Sequence, residues 1–263
     1  MADNIKINQN KSNVETQSPL IEHLEELKKR LKYIIIVLLV LFIAGYSQGQ
    51  RIINIIQKPI IDALPEGAVL TMIQVTEMFF VEVKVSFITA IMVAMPFILY
   101  QLWKFISPGL YMDERKYLYG FVFAASLLFL IGSSFAYFVV FPFGFNFFLS
   151  FAANELYNVS ATLSMADYVS FVVKITLAFG IVFELPAIIF LFAKIGLITD
   201  EMLVKYRRYA IVGIFVLAAV LTPPDVVSQL AMAAPLILLY QLSIYIAKTF
   251  GKETDTSEVP IYE

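Results

Sequence analysis

Long apolar runs separated by short charged segments constrain this chain more than any other feature. Crossing a hydrocarbon core of about 30 Å takes about 20 apolar helical residues. Because 60% of the 263 residues are hydrophobic, a soluble domain could not bury them all, and the pattern indicates an integral membrane protein. Four runs reach or approach the required length: Tyr33–Tyr46 (extendable to about Ile53), Met78–Leu102, Tyr117–Phe141 and Tyr168–Ala193.

A fifth apolar block, Tyr209–Ala247, is interrupted by Thr222-Pro223-Pro224-Asp225. Two prolines cannot continue a helix, and the aspartate suits the N-terminus of the next one. The block is therefore predicted to form two helices, Tyr209–Leu221 and Val226–Ala247. The first would rise only about 20 Å. Either flanking residues extend it, from about Met202, or the bilayer is thinned beside it.

The distribution of basic residues predicts the orientation of these helices. Six spans place both termini on one side, together with 15 of the 19 lysines and arginines. Arg51 and Lys58 fall on the other side, and Lys84 and Lys174 lie within spans, where snorkelling toward the surface would explain them. By the positive-inside rule, both termini are cytoplasmic. The sequence thus predicts an all-α membrane protein with six transmembrane helices.

The chain is expected to form one domain with two tails. Residues 1–18 are polar and predict a disordered cytoplasmic tail, residues 19–248 a single transmembrane domain, and residues 249–263 a cytoplasmic C-terminal tail. The N-terminus does not resemble a cleaved signal peptide. The outer segments, roughly Gln48–Thr76 and Pro142–Asp167, carry apolar and aromatic residues, so we expect them to pack as caps over the bundle.

Composition argues against several classes of chemistry. The chain has no cysteine, which excludes disulfides, thiolate zinc sites and iron–sulfur clusters. The one histidine, His23, lies outside the apolar runs, and no run contains a pair of aspartates. No Walker loop or dinucleotide fingerprint is visible. We therefore expect no catalytic residue, cofactor or metal, and no nucleic-acid partner.

Two charged clusters lie on the predicted cytoplasmic side: His23–Arg30 (HLEELKKR) and Phe105–Lys116 (FISPGLYMDERK). Acidic groups in both could form a receptor for a cationic partner. Local explanations also exist. Glu26 could pair with Arg30 at i,i+4, a contact worth about 0.2–0.5 kcal/mol. Glu114 could complement the dipole of the third helix.

Polar residues near or inside the spans are further candidates. Glu184, two residues before Pro186, is an ionisable group in a predicted span and therefore a functional candidate; a hydrogen-bonded structural carboxyl is the alternative. Thr222 and Gln229 form a polar patch where the fifth and sixth helices connect. They could bond across helices or simply cap them.

Five segments of the chain occur in a familiar order and spacing. They are HLEELKKRL, FISPGLYMDERK, SSFAYFVVFPFGFNFF, SFVVKITLAFGIVFELP and LTPPDVVSQ. Together they resemble the TatC family, the signal-peptide receptors of the twin-arginine protein translocase, over about Pro19–Lys248. The resemblance implies a cupped six-helix bundle in the bacterial inner membrane, which binds twin-arginine signals of folded precursors. It also implies single-span TatA and TatB partners, contact with membrane lipid, several copies of the chain per complex, and transport driven by the proton-motive force.

The resemblance also implies roles for individual residues. Glu26 and Glu114 match the family's signal-binding glutamates, Glu184 its intramembrane glutamate, and Thr222 and Gln229 its contacts with partner helices. A guanidinium takes a carboxylate in a two-pronged geometry that lysine cannot copy, so two carboxylates could select Arg-Arg over Lys-Lys. The residues expected to support this site are Arg30, Pro108, Arg115 and Lys116.

The sequence departs from the family pattern at two points, and other functions remain open. Lys28 stands where many members have arginine, and the basic pair after Glu114 is Arg-Lys. A proton-coupled small-solute transporter could use Glu184 and the lysines within the spans as a relay. Inverted repeats would favour that function, but no internal duplication is evident. An intramembrane hydrolase would lack its histidine and its paired aspartates.

Overall fold

The computed structural model describes residues 18–64, 69–106, 118–152, 162–221 and 226–251. Two three-residue strands, β1 (Val69–Thr71) and β2 (Thr162–Ser164), accompany the helices. The helices are α1 (Ser18–Ser47), α2 (Gly49–Ala63), α3 (Glu77–Ile106), α4 (Leu118–Phe135), α5 (Phe141–Ala152), α6 (Met165–Phe183), α7 (Leu185–Lys194), α8 (Asp200–Leu221) and α9 (Val226–Phe250), with a π-helical turn at Ala136–Val140 between α4 and α5.

Among the described residues, five helical segments are long and apolar enough to cross a membrane. They correspond to the first four and the last of the predicted spans. The first four are longer than their apolar runs because helix continues into the polar residues at their ends, and the last has the same length as its run, shifted by three residues. The segments are Ile21–Ser47, Glu77–Ile106, Tyr119–Phe145, Met165–Lys194 and Gln229–Phe250.

The predicted fifth span is part of α8, which begins at Asp200 rather than at Tyr209. Flanking residues therefore extend this helix, and its 22 residues rise about 33 Å. The added turns carry Asp200, Glu201, Lys205 and two arginines. Its apolar part is still only Tyr209–Leu221, which is why composition does not mark α8 as a membrane span.

Helix α1 joins the charged N-terminal segment and the first apolar run into one helix of 30 residues. Its leucine face is exposed, with Leu24 64% and Leu31 53% accessible, so no described helix covers it. The opposite face packs along α3. At the far end, a Cβ on Gly45 would lie 3.3 Å from the Ser86 carbonyl oxygen, which shows how closely the two helices approach.

The segments predicted to be caps pack at one end of the bundle. β1 and β2 pair in parallel, with Val69 opposite Thr162, so the described chain is not purely helical. In α2, Pro59 has no N–H to donate to the Ile55 carbonyl four residues earlier. The Tyr137 hydroxyl donates to that oxygen instead, at 2.7 Å. These contacts tie α2 to the helices beneath it.

Two helical segments are interrupted just before a proline. The π-helical turn precedes Pro142, and a break at Glu184 between α6 and α7 precedes Pro186. A proline removes one backbone donor and clashes with the preceding turn, which favours such interruptions. Helices α4 and α6 cross closely at Gly180. A Cβ added there would lie 2.5 Å from a ring carbon of Phe129, so only glycine fits without a shift.

Candidate functional site

The first charged cluster folds against α3 and forms an open polar pocket at the end of the bundle opposite the cap. Residues of α1 and α3 surround a cavity of about 620 Å³. Three carboxylates and three cationic groups line it, so their formal charges balance. The lining residues are Glu22, Glu25, Glu26, Lys29, Arg30, Tyr33, Gln101 and Lys104.

Glu26 is held by a guanidinium from its own helix. Arg30 donates to Glu26 Oε1 from Nε at 3.2 Å and from Nη2. Its remaining nitrogen, Nη1, donates to Gln101 Oε1 at 3.2 Å, which ties the pair to α3. The Glu26 side chain is 33% exposed, against 11% for Arg30. Glu26 is thus accessible from the pocket, while its internal partner lies deeper.

A histidine and a phenylalanine stack beside Glu26. The ring of His23 stacks on Phe105 with centroids 4.2 Å apart, and its Nδ1 lies 3.8 Å from Glu26 Oε2. Phe105 belongs to the last turn of α3 and is the first residue of the second charged cluster. The stack therefore holds the start of that cluster beside Glu26.

Several predicted site residues lie outside the described residues. They are Pro108, Glu114, Arg115 and Lys116, in the segment 107–117, and Thr222, in the segment 222–225. The ends of the helices on either side of the first segment are described. The last described residue before the first segment is Ile106, at the end of α3. The positions of the five side chains stay predictions.

Glu184 lies at the break between α6 and α7 and does not line the pocket. It is 4% exposed, and its Oε1 has no hydrogen-bond partner among the described residues. Its backbone oxygen accepts from Ile188 N at 2.9 Å. The alternative was a hydrogen-bonded structural carboxyl. For Oε1, no described residue supplies such a hydrogen bond.

Gln229 bonds from α9 to α8, which is one of the two alternatives that its position left open. Its Nε2 donates to the Phe215 carbonyl oxygen of α8 at 3.0 Å. This contact fastens α9 to the apolar part of α8, and the side chain remains partly exposed. Any partner helix there would meet an amide whose nitrogen is already engaged within the chain.

Sequence reasoning missed the roles of Gln101 in the pocket and Phe105 beside it, and a buried carboxylate in the cap. Gln101 and Phe105 matter through contacts between helices, and the only sequence signal was a glutamine within an apolar run. Glu77 is 7% exposed and accepts from Ile73 N at 2.7 Å, Ser164 Oγ at 2.8 Å and Ala166 N at 2.7 Å. No cluster of three or more metal-ligating side chains occurs within the described ranges.

The fold and the pocket define a class: a multi-pass helical membrane protein with a polar, open site at one end. A family model described as Sec-independent protein translocase protein (TatC) matches residues 22–235. The chain therefore belongs to the TatC family.

Individual relatives agree with this assignment. The chain is 43% identical to TatC of Desulforapulum autotrophicum over 94% of its length and 90% of the relative's. It is 39% identical to TatC of Escherichia coli K12, over 93% and 94%. A solved structure described as the twin arginine translocase receptor TatC superposes with a TM-score of 0.78 at 38% identity, covering 87% of this chain and 99% of that one.

Proposed function

We propose that this chain is the receptor subunit of a twin-arginine translocase and binds the twin-arginine signals of folded precursor proteins in the pocket around Glu26. The single observation that carries the proposal is the Arg30–Glu26 contact, because a signal arginine would bind the same carboxylate with the same guanidinium group. A guanidinium already binds this carboxylate, through two of its nitrogens, at the mouth of an open cavity.

Binding would proceed by exchange. An arginine of the signal takes the exposed side of Glu26, and Arg30 keeps its bond to Gln101 or moves toward solvent. The exchange is inexpensive because a partly exposed i,i+4 pair contributes only about 0.2–0.5 kcal/mol. Glu114 would receive the second arginine, supported by Pro108, Arg115 and Lys116. Lysine would bind more weakly at both carboxylates because it lacks the planar fork.

The rest of the proposal concerns the assembly. Residues 19–248 form one domain of six transmembrane helices in the bacterial inner membrane, with both terminal tails cytoplasmic. Single-span TatA and TatB helices bind near Thr222 and Gln229. Glu184 acts within the membrane, and the proton-motive force drives transport. Support for these points comes from membership of the TatC family and from the charge distribution.

The test is binding of a synthetic twin-arginine signal peptide to the detergent-purified protein. We expect the Lys-Lys peptide to bind at least about tenfold more weakly, and Glu26→Gln and Glu114→Gln each to lose a similar factor. Glu25→Gln is the matched control, since Glu25 lines the same pocket without a hydrogen bond to Arg30. Equal binding of both peptides, unaffected by Glu26→Gln, would refute the proposed site.

Proton-coupled transport of a small solute is the second candidate, favoured only by Glu184. A buried carboxylate oxygen without a partner is what a proton carrier in a membrane could use. The same preparation in proteoliposomes should take up no labelled solute in response to a proton gradient. Gradient-dependent uptake abolished by Glu184→Gln would favour the transporter instead.

A further inference from the structure

Two lysines that the proposed function does not use meet on one face of the bundle. Lys84 of α3 donates from Nζ to Ser170 Oγ of α6 at 2.8 Å. Lys174 lies one turn further along α6, and side chains four apart on a helix are neighbours. Both lysines are exposed. Two ammonium groups from adjacent helices thus share one patch of the protein surface.

No described carboxylate neutralises this patch. Neither Lys84 nor Lys174 takes part in the ion pairs seen among the described residues, which Glu26 makes with His23 and Arg30. Asp167, in the first turn of α6, lies on the same face as Ser170, but it is exposed and within 4.0 Å of neither ammonium. The patch is therefore a candidate for an anionic group supplied from outside the chain.

Helix geometry gives the depth of the patch. Lys84 and Lys104 are 20 residues apart on α3, and Lys174 and Lys194 are 20 residues apart along α6 and α7. Twenty helical residues rise about 30 Å, which equals the thickness of the hydrocarbon core. If Lys104 and Lys194 mark one boundary of that core, Lys84 and Lys174 mark the other. Lipid phosphates lie several Å outside that boundary, and a lysine side chain can snorkel toward them.

Exposed apolar side chains adjoin the patch, as a site for a phospholipid would require. Phe80 and Phe87, one turn to either side of Lys84 on α3, are 55% and 52% exposed, and Ile181, two turns beyond Lys174 toward the membrane interior, is 57% exposed. Acyl chains would contact these side chains while the phosphate meets the ammonium groups. An acidic side chain of a partner helix would account for the positive charge of the patch, but not for its position at the edge of the hydrocarbon core.

We propose that Lys84 and Lys174, together with Ser170, bind the phosphodiester of a membrane glycerophospholipid. Ammonium groups donate charge-assisted hydrogen bonds to phosphate oxygens, and the Ser170 hydroxyl holds Lys84 in place between its own helix and α6. Only the leaflet rests on the proposed function: in the proposed orientation, the lipid belongs to the outer leaflet. The depth and the chemistry do not depend on signal-peptide binding.

The experiment is lipid retention by the detergent-purified full chain, measured by native mass spectrometry with added phosphatidylglycerol, phosphatidylethanolamine or diacylglycerol of the same acyl chains. We expect both phospholipids, but not diacylglycerol, to be retained, and Lys84→Gln/Lys174→Gln to raise the half-saturating phospholipid concentration about tenfold. The matched control, Arg51→Gln/Lys58→Gln, removes the same charge from the cap and should change nothing.

Two outcomes would overturn the proposal. One is equal phospholipid retention by the wild type and the Lys84→Gln/Lys174→Gln variant; the other is retention of diacylglycerol as strong as that of the phospholipids. Unchanged elution and helical circular dichroism establish that the variant folds. Its signal-peptide binding should equal that of the wild type, because the patch and the pocket lie at opposite ends of α3. Failure of the lipid site is thereby separated from failure of the receptor site.

Discussion

Two carboxylates at opposite ends of the bundle are held in opposite ways. In the cap, Glu77 is 7% exposed and receives hydrogen bonds from two elements, including Gln74 N at 3.2 Å and Ala166 N at 2.7 Å. In the pocket, Glu26 is 33% exposed and its hydrogen bonds come from a single side chain, Arg30. Backbone donors cannot leave Glu77, whereas a guanidinium can leave Glu26.

The difference separates a carboxylate that fixes the architecture from one whose surroundings suit the binding role that we propose for it. Glu77 joins the turn before α3 to the N-terminus of α6, and Ser164 Oγ and Ala166 N bind the same oxygen. A fixed set of donors in a buried place stabilises one geometry. Glu26 has an exchangeable partner and an accessible face, which is what binding and release of a cationic ligand require.

The largest effect is expected from Glu77→Gln. The amide has one acceptor oxygen where the carboxylate has two, and its NH₂ would face backbone N–H groups, so buried donors lose their partner. We expect the melting temperature of the purified protein to fall by several degrees. Glu82→Gln, half-buried on the same helix, is the control and should melt like the wild type. An unchanged melting temperature for Glu77→Gln would show that the hydrogen bonds of Glu77 do not stabilise the fold.

Glu26→Ala should weaken peptide binding and leave stability nearly unchanged. The substitution removes a partly exposed pair worth a fraction of a kilocalorie, so the melting temperature should stay within about a degree of the wild type. Twin-arginine peptide binding should fall at least about tenfold. A calorimetric titration beside a thermal scan measures both quantities. A large loss of stability without loss of binding would place Glu26 in the architectural class with Glu77.

A smaller effect is expected in the cap from Tyr168→Phe. The Tyr168 hydroxyl donates to the Ile56 carbonyl oxygen at 2.5 Å, and losing one neutral hydrogen bond costs about 1 kcal/mol. Thermal or denaturant unfolding should show this loss, with peptide binding unchanged. Tyr206→Phe, an exposed tyrosine of α8, serves as the control. Altered peptide binding would mean that the cap and the pocket are coupled.

The smallest effect is expected from Arg30→Gln. Removing the internal competitor of Glu26 saves about 0.2–0.5 kcal/mol, so twin-arginine peptide binding should tighten about twofold. Lys29→Gln removes one charge from the same pocket without touching Glu26 and provides the baseline. Weaker binding in Arg30→Gln than in Lys29→Gln would instead make Arg30 a positioning residue for the carboxylate.

The sequence predicted what depends on local pattern and missed what depends on contact between distant segments. The spans could be read from hydropathy, and the Glu26–Arg30 pair from its i,i+4 spacing. Hydropathy left the start of α8 open between Tyr209 and about Met202, because polar residues continue a helix without leaving an apolar signal; the structure has it at Asp200. Gln101 and Glu77 gain their roles from α1 and α6 respectively. No periodicity within their own segment indicates those partners.

Helix α1 has a mechanical consequence that its chemistry does not suggest. Kinks form at prolines and π-bulges, and the chain after Pro19 contains neither until α1 ends at Ser47. The segments running through α4 and α5 and through α6 and α7, by contrast, each carry such a break. We therefore expect a displacement at Glu26 to move α1 as a unit, because no feature that favours a sharp kink lies between Glu26 and Gly45. Gly45 is about 30 Å away and packs against the backbone of Ser86.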